Sequence, residues 1–231
     1  MRICLLSYQA NHRKTYDVIA GLKARGYEDV CIYAKPFHYN KTFKPIYEHR
    51  PSCEWTAYDN LKYEDVINNY GYEIRKIDNY EDINEPKGTI FLVCGASLLP
   101  ETFLKRNVVI NAHPGYIPKE RGLDALKWTI IEGQTIGVTT HLIGDYVDAG
   151  DIIERIEVPL FENDTFHSVA DRVYQIEIKL LLDSIENHSI VLTTDGGGYD
   201  VHKRMPHYIE EDLMREFDEY KRSIMEIDRR K

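Results

Sequence analysis

Short apolar runs alternate with longer amphipathic stretches along this chain. The apolar runs have the length of buried β-strands and cover residues 2–7, 30–34, 89–94, 108–111, 136–143 and 152–158. The amphipathic stretches have apolar positions at helical spacing and cover residues 13–25, 123–132, 165–188 and the highly charged 210–230. Nearly continuous apolar strands that alternate with helices predict an α/β fold with a mostly parallel sheet covered on both faces.

The residues between these elements predict where helices begin and how the chain is divided into domains. Asn163 and Asp164 are candidate caps for the helix over residues 165–188. Residues 37–59 mix aromatics and prolines without a period, which is typical of an inserted loop. Three consecutive glycines at 196–198 break the chain, so we expect a domain over residues 1–190 and a short C-terminal extension over 191–231.

Composition narrows the class of protein. The 231 residues are 43% hydrophobic and 29% charged, which is a globular balance. A net charge of −9 disfavours a nucleic-acid partner. The chain has no apolar run of 18 residues, so we expect no membrane span, and its polar start does not fit a signal peptide. The four cysteines form no CxxC pair, which favours a reduced, cytoplasmic protein.

Candidate chemistry lies where the predicted strands end, because ligands of such sheets bind beyond the carboxyl ends of the strands. Asn111 and His113 are two residues apart at a strand end, so both side chains point to one side. An amide donor beside an imidazole can stabilise an oxyanion and move a proton. Asp148 follows the next strand and can orient the imidazole and raise its pKa. Taken alone, however, an Asn-x-His at a strand end is more often a hydrogen-bonded turn.

A metal site is the rival chemistry. His113, His141 and Asp148 could form a triad with an open position. The nine histidines form no HxxxH or His-x-His pair. We therefore expect no metal, with His141 packed beside the active site.

The segment from residue 91 to 153 resembles the catalytic core of the N10-formyltetrahydrofolate-dependent formyltransferases. The matching positions, in order and spacing, are Asn111, His113, Pro118, Arg121, Gly122, Asp148 and Gly150. The upstream run 93–100 is similar to the folate-binding loop of that family. The resemblance implies a Rossmann-like, doubly wound sheet, with N10-formyltetrahydrofolate as co-substrate.

The resemblance also implies roles for individual residues. Asn111 would donate to the oxyanion, protonated His113 would add charge stabilisation and handle a proton, and Asp148 would hold the imidazole. The pteridine would be bound by the residues Ala96, Ser97, Leu98, Leu99, Gly144, Asp145, Tyr146 and Val147. Leu98 and Leu99 would supply apolar walls, although ordinary core leucines explain these two side chains equally well.

The acceptor amine separates the branches of the family. Residues 7–14 contain no glycine, unlike the phosphate loop of glycinamide ribonucleotide transformylases. About forty residues after residue 190 leave too little chain for the C-terminal domain of methionyl-tRNA formyltransferases. We expect no N-terminal regulatory domain of the formyltetrahydrofolate hydrolase kind, because the first strand starts at once. What remains resembles the sugar N-formyltransferases.

That branch implies a nucleotide-linked amino sugar as acceptor, such as dTDP-4-amino-4,6-dideoxyglucose, and a role in surface polysaccharide (O-antigen) synthesis. Candidate acceptor contacts are Asn11, His12, Arg13 and Lys14 after the first strand, and Tyr199 for stacking on a base. The family implies a homodimer. The alternatives are another small-amine formyltransferase, such as a glycinamide ribonucleotide enzyme, and a folate-binding module of the same fold without activity.

Overall fold

The strands form one mostly parallel sheet. A computed structural model describes residues 1–37, 43–144, 148, 150–189, 191–192 and 199–229. Its strands are β1 (Ile3–Tyr8), β2 (Val30–Lys35), β3 (Glu73–Lys76), β4 (Ile90–Val93), β5 (Val108–His113), β6 (Gly137–Leu142) and β7 (Ile152–Glu157). They lie in the order β3-β2-β1-β4-β5-β6-β7. The predicted α/β fold with a mostly parallel sheet is confirmed.

The helices agree with the periodicity where the amphipathic stretches are long. They are α1 (Arg13–Ala24), α2 (Tyr63–Asn69), α3 (Glu101–Leu104), α4 (Ala125–Ile131), α5 (Phe166–Asn187), α6 (His207–Glu210) and α7 (Leu213–Arg229). The highly charged helix predicted over residues 210–230 is confirmed as α7, which begins three residues later than predicted, at Leu213, and the short helix α6 precedes it. Within the described ranges, the helices are too short or too polar to cross a bilayer.

One compact unit comprises residues 1–40, 51–112 and 178–190. Its strands pair in parallel, β2 with β1 and β3, and β4 with β1 and β5. The side chains of β1 and β2 are buried along almost their whole length, because helices cover a parallel sheet on both faces. This burial explains why both strands are continuous apolar runs in the sequence.

The other compact unit comprises residues 41–50, 113–177 and 191–231. In it β6 and β7 pair antiparallel, and α4 packs against α7. The side chains of Lys127 and Glu210 form an ion pair with no solvent exposure. Glu210 also accepts hydrogen bonds from the backbone N–H groups of Ile46 and Tyr47, at 3.0 and 3.1 Å. A single buried carboxylate therefore joins α4, α6 and a distant loop.

The start of α5 corrects the predicted cap. Thr165 Oγ1 accepts from the N–H of Ser168 at 3.2 Å, and Ser168 Oγ accepts from the N–H of Thr165 at 3.0 Å. This reciprocal pair satisfies the first turn of the helix in the way of a capping box. The caps predicted at Asn163 and Asp164 are wrong, because the Asp164 carboxylate instead binds Arg172 through two hydrogen bonds of 2.8 Å.

We expect Lys127→Met to destabilise the protein by about 3–5 kcal/mol, because it leaves the Glu210 carboxylate buried without its counter-charge. Urea unfolding measures the change in the free energy of unfolding. Adding Glu210→Gln should recover part of the loss, since the amide oxygen can still accept from the backbone. The exposed Lys203→Met is the matched control, and a loss no larger than the control's would contradict the expectation.

Candidate active site

The carboxyl end of β5 carries the first two candidate residues. Asn111 and His113 are both strand residues of β5, two positions apart, so their side chains leave the strand on the same side. Asn111 is half-buried, and His113 is buried. The chain turns at once through Pro114 and Gly115, which ends the strand beyond the imidazole.

The ring of His113 has a hydrogen-bond acceptor opposite each nitrogen. Its Nε2 donates to the backbone carbonyl oxygen of Glu120 at 3.1 Å. Its Nδ1 lies 3.5 Å from Oδ2 of Asp148. Two acceptors favour the imidazolium form of the ring, because both of its nitrogens then carry a proton.

Asp148 faces the imidazole from an unusual backbone conformation. Asp148 has a φ of +45°. The glycine two residues later, Gly150, lies against Leu142, the last residue of β6. A Cβ atom on Gly150 would come within 1.6 Å of the carbonyl oxygen of Leu142, so only glycine fits there. The Asp-x-Gly pattern seen in the sequence therefore has a steric cause.

Three neighbours stabilise the Asp148 carboxylate. Oδ2 accepts from the N–H of Gly122 at 3.0 Å, and Oδ1 lies 3.7 Å from Nε2 of His141. Burial by itself raises the pKa of Asp148, but the charge that His113 carries when protonated, the imidazole of His141 and the Gly122 N–H outweigh it. The pKa of Asp148 lies well below its usual range, so the carboxylate is ionised at neutral pH.

Burial sets the protonation of His113. Removal from water lowers the pKa of His113, the Asp148 charge raises it, and the desolvation is the larger effect. The net pKa lies below the ordinary value of 6.5. The expectation that Asp148 leaves His113 protonated is therefore corrected: the resting imidazole is neutral, and its acceptors are placed for the cation that forms when it takes a proton.

The Arg-Gly pair of the motif also has a steric explanation. Gly122 has a φ of +93°, and a Cβ atom there would lie 2.2 Å from the carbonyl oxygen of His202. Arg121 O accepts from the N–H of His202, and Leu123 N–H donates to His202 O, both at 2.9 Å. This close backbone contact aims the N–H of Gly122 at Asp148.

The predicted folate loop follows β4. Ser97 donates from its N–H to the hydroxyl of Tyr80 at 3.2 Å, while Leu98 is 86% exposed and Leu99 is half-buried. Leu98 is therefore not a core leucine, and an exposed leucine is free to contact a flat ligand. Ala96 is half-buried in the same loop.

The second half of the predicted folate site is described only in part. Gly144, after β6, is half-buried, and a Cβ atom there would lie 3.5 Å from the Cα of Gly150. Asp145, Tyr146 and Val147 lie outside the described residues.

The predicted acceptor contacts at residues 11–14 make hydrogen bonds inside the protein. Asn11 donates to the carbonyl oxygen of Leu61 at 2.8 Å. His12 Nδ1 lies 2.9 Å from Thr15 Oγ1, and Arg13 binds Asp17 at 2.9 Å. These contacts leave the polar groups fixed at the start of α1.

Lys14 and Tyr199 occupy contrasting surroundings. Lys14 is buried, and its Nζ donates to the carbonyl oxygen of Ala112 at 3.4 Å, so an ammonium group lies at the end of β5. Tyr199 is 45% exposed, and its carbonyl oxygen accepts from Arg121 Nη1 at 3.4 Å. Tyr199 is therefore partly open to solvent.

Glu120 was missed at the level of sequence. Its side chain has no solvent exposure, and neither carboxylate oxygen has a hydrogen-bond partner among the residues that the structure describes. Burial, with the charge of Glu132, raises the pKa of Glu120 to about 8. A glutamate in a polar turn normally faces water, so only its position directly before Arg121 could have drawn attention to it.

Comparisons with known proteins agree with the geometry. The formyl transferase family matches residues 75–185. The chain is 30% identical to phosphoribosylglycinamide formyltransferase of Dictyostelium discoideum over 205 residues, which cover 80% of this chain and 96% of that one. It is 39% identical to dTDP-4-amino-4,6-dideoxyglucose formyltransferase of Mycobacterium bovis over 77 residues, 33% of each chain.

Other relatives are matched only in part. The match spans 33% of the length of methionyl-tRNA formyltransferase of Bacteroides thetaiotaomicron, at 28% identity. The fold is that of an N-formyltransferase from Helicobacter canadensis, which was crystallised with folinic acid and dTDP-3-aminofucose. The two structures superpose with a TM-score of 0.59 at 17% identity, and the match covers 95% of this chain and 82% of that one. Since the Dictyostelium relative is matched over nearly its whole length, this chain belongs to the formyl transferase family.

Proposed function

We propose that this protein is an N-formyltransferase that moves the formyl group of N10-formyltetrahydrofolate to the amine of a nucleotide-linked amino sugar. The observation that carries the proposal is the pairing of buried His113 with the ionised carboxylate of Asp148 at 3.5 Å, within the segment that matches the formyl transferase family. A base, its orienting carboxylate and an amide donor two positions before the base on the same strand form a set suited to acyl transfer.

The co-substrate supplies an activated formyl carbon, and the side chains stabilise the oxyanion and transfer the proton. Asn111 donates a hydrogen bond to the oxygen that becomes negative when the amine attacks this carbon. Neutral His113 accepts a proton from the attacking nitrogen at Nδ1, the ring nitrogen beside Asp148, because Nε2 already carries the proton donated to Glu120. The new cation is stabilised by Asp148 and by the carbonyl of Glu120. His113 then returns the proton to the departing N10 nitrogen, so the amine ends as a formamide and the pterin leaves as tetrahydrofolate.

The folate contacts proposed are the loop after β4 and the loop after β6. The exposed side chain of Leu98 supports the first of these, since apolar surface left open to water favours contact with a flat heterocycle. In the second, Gly144 and the residues up to Val147 precede Asp148, so a pterin bound there would be next to the carboxylate that orients His113.

Two observations support a sugar as acceptor. The 39% identity with a dTDP-4-amino-4,6-dideoxyglucose formyltransferase is higher than the identity with the glycinamide ribonucleotide relative. Residues 7–14 also lack the glycines that a phosphate-binding backbone loop needs. The buried ammonium of Lys14 and the exposed ring of Tyr199 are the proposed contacts for phosphate and base. The product would serve the synthesis of a surface polysaccharide such as O-antigen.

Glycinamide ribonucleotide is the second candidate acceptor. The observation in its favour is the length of the match, 205 residues, against 77 for the sugar enzyme. A panel decides between the two: N10-formyltetrahydrofolate with dTDP-, GDP- and UDP-linked 3- and 4-amino sugars, and with glycinamide ribonucleotide, read by mass spectrometry of the formamide. Turnover of glycinamide ribonucleotide alone would reject the sugar assignment. A folate-induced rise in Tm without any turnover would favour a binding module.

We expect Asn111→Ala and His113→Ala each to reduce kcat about 10²–10³-fold, because each removes a group that acts on the transition state. Circular dichroism and Tm should show folded proteins. The exposed His167→Ala is the matched control and should keep the wild-type rate. Near-wild-type turnover in either site variant would reject its assignment.

The pH profile tests the base. His113 must be neutral to accept a proton, so kcat/KM should fall as the pH drops through a pKa below 6.5. Asp148 raises the pKa of His113, so Asp148→Asn should lower the rate and move this acidic limb to lower pH. The exposed Asp218→Asn should leave the limb in place. If the acidic limb of the profile is unchanged or moves to higher pH in Asp148→Asn, His113 is not the base.

A further inference from the structure

Three potential metal ligands meet on one side of the Arg121-Gly122 turn. They belong to Glu120, Glu132 and His202, and one ligand atom from each lies within 4.8 Å of the others. Nε2 of His202 lies 3.3 Å from Oε1 of Glu132 and 3.7 Å from Oε2 of Glu120. Among the residues that the structure describes, no other group of three satisfies this distance.

Glu120 is the independent sign that something is bound here. Its side chain is completely buried, and its Oε2 lies 3.7 Å from Nε2 of His202. Within the described ranges, neither of its oxygens has a hydrogen-bond donor. Buried carboxylates are paired with donors or coordinate metals, because an unsatisfied one is costly. A surface cluster of acids would carry no such implication, since water satisfies it.

The imidazole of His202 is held in place for coordination. Its ring stacks on Trp128, with centroids 4.7 Å apart and planes 10° apart. Its backbone N–H and carbonyl are bound by Arg121 and Leu123 at 2.9 Å. Trp128 is itself fixed by a hydrogen bond of 2.9 Å from Nε1 to the carbonyl oxygen of Lys203. Ring orientation is therefore set by contacts other than the two carboxylates.

We propose that Glu120, Glu132 and His202 bind a zinc ion, a site that the sequence does not indicate. Zinc with bonds of about 2.05 Å places tetrahedral ligands about 3.4 Å apart, which agrees with the two measured separations. One imidazole nitrogen and two carboxylate oxygens are a ligand set that zinc accepts. Glu132 is 38% exposed, so the solvent side leaves a fourth position for water.

The ion would act as a cross-link. It would tie the segment that contains His202 to the end of α4 and to the turn whose Gly122 N–H holds Asp148. Zinc bound here would therefore stabilise the fold next to the candidate active site without touching the reacting atoms.

The test is zinc binding by the whole 231-residue chain after treatment with EDTA. Elemental analysis after gel filtration should give one zinc per chain, and competition with a chromophoric chelator should give its affinity. X-ray absorption should show nitrogen and oxygen ligands. Zinc should also raise Tm. Absence of saturable binding would overturn the proposal, as would sulfur in the coordination shell.

Variants assign the site. Glu132→Gln, at an exposed position, and His202→Phe, which keeps a ring against Trp128, should each weaken zinc binding at least tenfold and abolish the rise in Tm. Glu211→Gln, at an exposed position outside the cluster, should bind as the wild type does. His113→Ala should also retain the zinc, which separates this site from the imidazoles beside Asp148. Unchanged binding in Glu132→Gln and His202→Phe would overturn the proposal.

Discussion

The hydrogen bond from Gly122 N–H to Asp148 is the interaction on which the candidate site depends. A carboxylate removed from water needs donors to remain ionised, and this N–H supplies one at 3.0 Å. The same oxygen, Oδ2, lies 3.5 Å from His113 Nδ1. Without the donor, the charge that orients the imidazole would be less stable. The position of one backbone N–H therefore influences the basicity of a histidine that it does not touch.

Backbone packing fixes that N–H, and packing explains the glycine. Gly122 lies so close to the main chain of His202 that a Cβ atom would overlap the carbonyl oxygen. Main-chain hydrogen bonds on either side of it, from His202 to Arg121 and from Leu123 to His202, hold the two segments together. The Asp148 carboxylate needs a hydrogen-bond donor, and that donor is in place because Gly122, 26 positions earlier, has no side chain to keep it from the main chain of His202.

Much of the fold could be predicted because its strands are apolar on both faces. The edge strand Glu73–Lys76 was missed, since it has only one partner strand and three of its four side chains are exposed. In the site, His113 and Asp148 could be identified because the motif keeps their residue types and spacing. The lowering of the His113 pKa could not be predicted, because it depends on how completely the folded chain removes the ring from water.

Two buried carboxyl groups beside the same turn show why burial alone does not determine charge. Asp148 has an N–H donor and two imidazoles, and its pKa lies well below its usual range. In the part of the chain that the structure describes, Glu120 has no hydrogen-bond donor and has a second carboxylate nearby, and its pKa is raised to about 8. The difference lies in the donors that reach each group. A carboxyl that lacks donors can stay neutral or acquire a cation. Because Glu120 faces a fixed imidazole and a second carboxylate, the cation is the outcome that satisfies all three groups together.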